Sequence, residues 1–462
     1  MADDATQLLD ADAPIAPPAR PNRVAAWWRG FARPPRIMGV DVARALAIIG
    51  MIGAHVGSTP ELVWSDPTTW AGIVHGRSSV LFAVLAGISV SIVTGRTRPL
   101  PREEIPAARL RLVGRGGAVL LIGILLELLN TNIAVILGVY GLLFIIATAF
   151  LHWSAKRLFA VGTIVALAGP PVMALLHALS LDAWGPTLSF LVFGTYPVTV
   201  WIAYLLIGMG VGRLRIETRT VATGVLCAGV VLAFAGYGTA ALVGTDGDSS
   251  DSYPSGSPSY EDYFQKPGSE VNLDGMTCDV SPGQWVSCYP EEEGFTSDDS
   301  GSWSEDVKWT GSDIDGWELQ HDSYLDRLLW DDIWNSVRYS MTSAIPHSGA
   351  VLDIVGSTGF ALAVIGTCIL LSRPLRWLLL PLAALGSMPL TAYAVHVLSV
   401  VVMAGGPGGF VDNSNGVWIW SILALTAAAL LWSIAIGKGP LEKLVGRAGA
   451  AMARPPKAAN AE

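Results

Sequence analysis

Apolar runs of about 20 residues, each closed by charged or turn-forming positions, recur from one end of this chain to the other. A helix that crosses a hydrocarbon layer of about 30 Å needs about 20 such residues. The pattern therefore predicts about ten membrane-spanning helices, at 39–58, 78–95, 113–129, 133–152, 158–178, 193–212, 220–243, 350–372, 377–402 and 416–437. Pro170-Pro171, Pro197 and Pro389 fall within these runs and predict kinks or interruptions that free backbone groups near the bundle interior. Ser79, Ala83, Gly87 and Ser91 recur every four positions in the second run, a small-residue seam for close helix packing.

The polar stretches divide the rest. Residues 1–35 read as a cytoplasmic tail, with Trp27, Trp28 and Phe31 among arginines as a short interfacial segment. The tail is acidic and proline-rich without an apolar core, which excludes a cleavable signal peptide. Residues 36–243 form an N-terminal set of helices, 244–349 an insert, 350–437 a C-terminal set and 438–462 a second tail. The expected fold is an all-α polytopic membrane protein, a bundle of about ten transmembrane helices with one large acidic extracytoplasmic insert.

Composition agrees, with 52% hydrophobic and 15% charged residues and a mean hydropathy of +0.48. Charge adds orientation. Asp246 to Arg338 holds 22 acidic and 4 basic residues, so a chain with a net charge of −9 carries +9 everywhere else. The connections at 96–111, 153–157, 213–219 and 373–376 and the tail from Lys438 are basic, whereas 130–132, 179–192 and 403–415 contain no Lys or Arg. Both termini are then cytoplasmic, the insert faces outward, and the chain is a multi-pass protein of the plasma membrane. A pI near 5.3 with positive charge confined to membrane-flanking loops excludes nucleic acid as a partner.

Within the insert, GTDGDSSDSYPSGSPSYEDY alone reads as disordered, but six tryptophans between Trp285 and Trp334 are more anchors than a linker needs. Leu325, Leu329, Ile333, Val337 and Met341 form an apolar stripe, predicting an amphipathic helix over 320–341 that anchors at the interface or covers the bundle mouth. Cys278 and Cys288 predict a local disulfide in an oxidising space, while Cys227 and Cys368 sit in apolar runs as small core residues.

The first run carries the candidate chemistry. Asp41, Arg44 and His55 are set in an otherwise apolar helix, where a central charge costs roughly 3 kcal/mol on insertion scales and so faces protein or a water-filled cavity. Asp41 lies three residues before Arg44 and can form an ion pair with it. Arg44 and His55 fall within about 20° of one helix face, about 16 Å apart. The stripe reads either as an ion pair plus a core histidine or as a polar path joining the two leaflets. Six of the seven histidines fall at or beyond the outer half of the bundle, and His55, His75, His347 and His396 sit in polar contexts. An imidazole near its ordinary pKa of about 6.5 suits proton abstraction at neutral pH. Glu127 is the strongest acidic candidate near the outer end of the third run, and Asp353 a weaker one. No two histidines stand at a ligand spacing such as i and i+4, so no metal site is predicted. A phosphate-binding Gly-rich loop, HExxH, CxxC and Gly-x-Ser-x-Gly are all absent.

Three stretches carry a family resemblance. They are Arg36…Gly39-Val-Asp41-Val-Ala-Arg44…Met51…His55 with Gly76-Arg77-Ser-Ser-Val-Leu-Phe-Ala-Val-Leu-Ala-Gly87; His347-Ser-Gly349…Gly356-Ser-Thr-Gly-Phe-Ala-Leu-Ala; and Gly386-Ser-Met-Pro-Leu-Thr-Ala-Tyr-Ala-Val-His396. Together they resemble bacterial relatives of heparan-alpha-glucosaminide N-acetyltransferase, in a wider group of transmembrane acyltransferases. Asp41 and Arg44 match the Asp-x-x-Arg signature, although the Gly that often follows is Ala45 here. The resemblance implies transfer of an acyl group, acetyl in the named family, from cytoplasmic acyl-CoA to an extracytoplasmic glycan, glycolipid or small metabolite. Arg44, Arg96 and Arg98 would hold the coenzyme phosphates, and His55 or His75 would act as general base, with His396 and Glu127 as the other acid/base candidates. The bilayer is the remaining partner, and a homo-oligomer is compatible with the chain. A transporter or lipid exporter without acyl transfer is the alternative, since interrupted helices and intramembrane polar groups suit that class too. A sensor or scaffold working through the acidic insert is the third.

Overall fold

The computed structural model of the protein describes residues 23–31, 36–60, 62–63, 65–98, 100–131, 133–180, 196–243, 276–280, 286–290 and 333–453. The outer parts of both tails, most of the insert, His321 and the first part of the expected amphipathic helix lie outside the described residues. The chain forms two compact units, one of Met1–Ser249 with Asp332–Glu462 and one of Ser250–Asp331.

The larger unit is helical. Its elements are α1 (Arg23–Gly30), α2 (Met38–Val56), a 3-10 turn (Pro67–Val74), α3 (Arg77–Val93), α4 (Ile105–Glu127), α5 (Leu137–Ile146) with a 3-10 turn after it, α6 (Ala155–Ser180), α7 (Val198–Gly212) and α8 (Arg219–Val243). After the insert come α9 (Ile333–Thr342), α10 (Val351–Leu371), α11 (Arg376–Gly386), α12 (Pro389–Met403), α13 (Asn415–Ala435) and α14 (Pro440–Met452). Each of the ten apolar runs is represented by helix. Among the described residues, however, only six segments are long and apolar enough to cross a membrane alone, or seven if the bent pair α11–α12 counts as one span. The difference has plain causes: α4 includes Arg109, Arg111 and Arg115, while α5 with its 3-10 extension and α7 are short. The chain is thus a multi-pass helical membrane protein.

Helix α2 is the packing centre. Its backbone approaches α10 at Gly39, where a Cβ would collide with Ile369, and α11 at Gly386, where a Cβ would collide with the Asp41 carbonyl. Trp418 of α13 lies against Gly53 and donates its indole N–H to the Ile49 carbonyl at 2.9 Å. The seam on α3 meets α7, with Gly87 against the backbone at Leu205 and Met209 and the Ser91 hydroxyl donating to the Met209 carbonyl at 2.7 Å. Close approach of this kind replaces the hydrophobic drive that lipid tails do not supply. On α6, α8 and α13 large apolar side chains such as Leu167, Phe234 and Trp420 point outward, as lipid contact requires.

Between α11 and α12 the direction changes by 68° at Ser387-Met388-Pro389. Proline starts α12, and its orphan N–H groups are met by Glu442 of α14, whose carboxylate accepts from the Leu390 and Thr391 amides at 2.8 and 3.1 Å and from the Thr391 hydroxyl at 2.5 Å. Part of the expected interfacial segment folds as α1: Trp28 stacks on Trp377 at 5.4 Å, and Arg376 donates to the Phe31 carbonyl at 3.0 Å.

The smaller unit, among its described residues, is an antiparallel hairpin of β1 (Met276–Val280) and β2 (Val286–Pro290). Its register sets Cys278 opposite Cys288.

Candidate active site

The two ends of α2 hold different chemistry. At its start, the Asp41 carboxylate, 2% exposed, takes Arg36 on Oδ2 and Arg44 on Oδ1, each at 2.6 Å. Arg44 also donates to the Ser89 hydroxyl of α3 at 2.7 Å. The expected Asp41–Arg44 pair is therefore present and enlarged by Arg36. A carboxylate flanked by two guanidiniums leaves the group with a net positive charge. Arg96, with φ of +53°, pairs with Glu217 at 2.6 Å, and Arg98 is exposed. Arg44 and Arg96 thus both have protein partners.

At its far end, His55 meets His396 of α12. Nδ1 of His55 and Nε2 of His396 stand 3.1 Å apart, with the rings stacked at 5.3 Å and only 6° from parallel. One nitrogen donates and the other accepts. His396 is wholly buried, and its Nδ1 meets no hydrogen-bond partner among the described residues. The pair exists because the Pro389 break turns α12 to present His396 to α2.

His55 also lines a hollow with Ser78, Ser79, Tyr196, His347 and Tyr393. A second hollow is lined by Trp201, Tyr204, Asp353 and Gly349, and shares Gly76 and His347 with the first. His347 has φ of +67° and packs edge-on against Tyr196 at 5.7 Å between ring centres. Its protein surroundings hold its imidazole down to about 4, with the charge of His75 adding to burial. That imidazole is neutral at neutral pH.

The other sequence candidates separate here. His75 is committed elsewhere: its Nε2 is engaged by the Thr59 hydroxyl at 2.5 Å and carbonyl at 3.1 Å. Glu127 is exposed at the end of α4 and lines neither hollow. Among the described residues no group of three His, Cys, Asp or Glu side chains could hold a metal ion.

A buried network beside the second hollow escaped the sequence reading. Arg77 donates to the Tyr237 hydroxyl at 3.0 Å and lies over its ring, Tyr237 meets Ser357 at 3.0 Å, and Ser357 donates to Asp353 at 2.7 Å. A tyrosine and an aspartate in two apolar runs and an arginine at the head of a third were the available signal; their convergence was not.

Residues 36–242 match the family described as Heparan-alpha-glucosaminide N-acetyltransferase, catalytic. The matched stretch includes Asp41, Arg44, His55 and His75, whereas His347, Asp353 and His396 lie beyond it. No curated protein and no solved structure matches the chain.

Proposed function

Over residues 36–242 this chain is a relative of heparan-alpha-glucosaminide N-acetyltransferase, and from that premise we propose that it is a membrane acetyltransferase using cytoplasmic acetyl-CoA and an outward-facing amine or hydroxyl acceptor on a glycan, glycolipid or metabolite. The observation that carries the reading is the His55–His396 pair, open to a hollow at one end of α2 while the arginine–aspartate triad occupies the other. The triad's net positive charge, with Arg96 and Arg98 on the connection after α3, suits the phosphates of coenzyme A. The tautomer with Nδ1–H of His55 donating to His396 leaves the Nε2 lone pair of His55 for the acceptor's proton. The acceptor nitrogen or oxygen then bonds to the acetyl carbon, the C–S bond breaks, and the electron pair leaves on the coenzyme A sulfur. His396 orients the base and fixes its tautomer, and His75 secures the loop after α2 through Thr59.

Purified protein in lipid nanodiscs, given labelled acetyl-CoA and glucosamine as probe acceptor, should form N-acetylglucosamine. His55→Ala should lower turnover by at least about a hundredfold with acetyl-CoA binding retained. His396→Ala should also lower it, and His75→Ala should leave it near wild type. Wild-type rates in both His55→Ala and His396→Ala would sink acid/base catalysis at this pair.

A transport function is the second reading, favoured by the 68° break between α11 and α12, because interrupted helices line many transport sites. Substrate flux in proteoliposomes lacking acetyl-CoA would support it.

A further inference from the structure

A base that accepts a proton in every cycle must also lose it. On one side of His55 the way is closed: His396 is fully buried, and its Nδ1 has no partner among the described residues to receive a proton. On the other side lies the first hollow, polar through Ser78, Tyr196 and His347, and roomy enough for bridging waters. Only His347 and Gly76 belong to both hollows, and of those two only His347 can carry a proton. The second hollow ends on Asp353, whose carboxylate is held by Ser357 in the Arg77–Tyr237 network. The backbone supports a specific placement, since His347 takes a left-handed φ that non-glycine residues adopt rarely and at some cost.

Resting on the acetyltransferase reading, we propose that His347 is the relay through which the proton taken by His55 passes to Asp353, so that the pair is reset for each turnover. The acceptor's proton moves to His55, crosses the first hollow to His347 and the second to Asp353, and Asp353 yields it to water in that hollow before the next cycle, while the thiolate departs with the electrons of the C–S bond. One proton and one electron pair are accounted for. An imidazole suits a relay because its free ring nitrogen takes a proton while the other gives one up.

The test separates the first turnover from the later ones. His347→Asn is the appropriate variant, because Asn tolerates the left-handed backbone better than most residues; Asp353→Asn keeps the side-chain shape. In rapid-quench measurements with acetyl-CoA and glucosamine, both variants should complete one transfer per protein within about twofold of the wild-type rate. Their steady-state rate should then fall by at least about tenfold, with unchanged KM, and added imidazole should restore much of it in His347→Asn. Thermal midpoints near wild type would accompany this pattern. A steady-state rate equal to wild type in both variants overturns the relay. So does an equal loss of first-turnover and steady-state rates that imidazole does not relieve, which would mark His347 as structural. Absence of any transfer by wild-type protein overturns the acetyltransferase reading and the relay together, whereas wild-type transfer with an unaffected variant overturns the relay alone.

Discussion

Asp41 is a carboxylate that the surrounding helices bury almost completely and satisfy with two arginines, and the two are unequal. Arg44 is 19% exposed at its side chain and ties α2 to α3 through Ser89, whereas Arg36 is 40% exposed and sits before the helix begins. Removing Arg44 strips Oδ1 of its charged partner in a place water reaches poorly, so Arg44→Ala should destabilise the fold by roughly 1–3 kcal/mol. Arg36→Ala should cost less, since an exposed pair is screened by solvent. Thermal midpoints in nanodiscs check the order. Acetyl-CoA affinity measured on the same samples divides the roles: a lowered midpoint with unchanged affinity leaves Arg44 to the ion triad, and lowered affinity at an unchanged midpoint gives it to the donor. The pairing of Asp41 with Arg44 was legible because three residues is one helical turn. The contribution of Ser89, 45 positions away, was not.

Helix contacts in this bundle are made by missing side chains as much as by present ones. At Gly386 an added methyl would strike the Asp41 carbonyl, a backbone atom that cannot yield without moving α2. Gly386→Ala should therefore lower the thermal midpoint and loosen the approach of α11 that precedes the break and positions His396. Gly117 in α4 has nothing within 4 Å of the same added atom. Gly117→Ala should be neutral or slightly stabilising, because alanine loses less backbone freedom on forming helix. Comparable losses in the two variants would sink this account of the packing. In the smaller unit, the hairpin register places Cys278 opposite Cys288, which fits the proposed disulfide. Intact-mass analysis of unreduced, alkylated protein should find neither of these two thiols modified. Alkylation of both would overturn the expected crosslink.

For the whole molecule, the alternation of basic and Lys/Arg-free connections is the basis for proposing cytoplasmic termini and an outward-facing insert. The candidate site depends on that orientation, since the triad must face acetyl-CoA and the histidine pair the acceptor. Single cysteines at Asn413, between α12 and α13, and at Lys438, after α13, test it in a chain otherwise freed of cysteine; both positions are exposed. An impermeant thiol reagent applied to intact cells should label the first and leave the second unlabelled. The reverse result would invert the orientation and place the triad away from the coenzyme.

Where helices form was decided within the sequence, because a polypeptide in hydrocarbon must satisfy its own backbone and long apolar runs leave helix as the way to do so. The polar exceptions in those runs were equally visible, since Asp41, Arg44, His55 and His396 stand out against apolar neighbours. Local pairs followed from helical spacing alone. Which exceptions meet was decided by tertiary packing. His55 and His396 are 341 residues apart, and they touch because Pro389 breaks a helix, Glu442 caps the new start and Gly386 lets α11 close on α2. The same holds for His347, placed between two hollows by a left-handed backbone turn, and for the Arg77–Tyr237–Ser357–Asp353 network drawn from three helices. Periodicity reports which residues a helix hides. It carries no record of which other helix they are hidden against, because that depends on close approaches between backbones far apart in the chain.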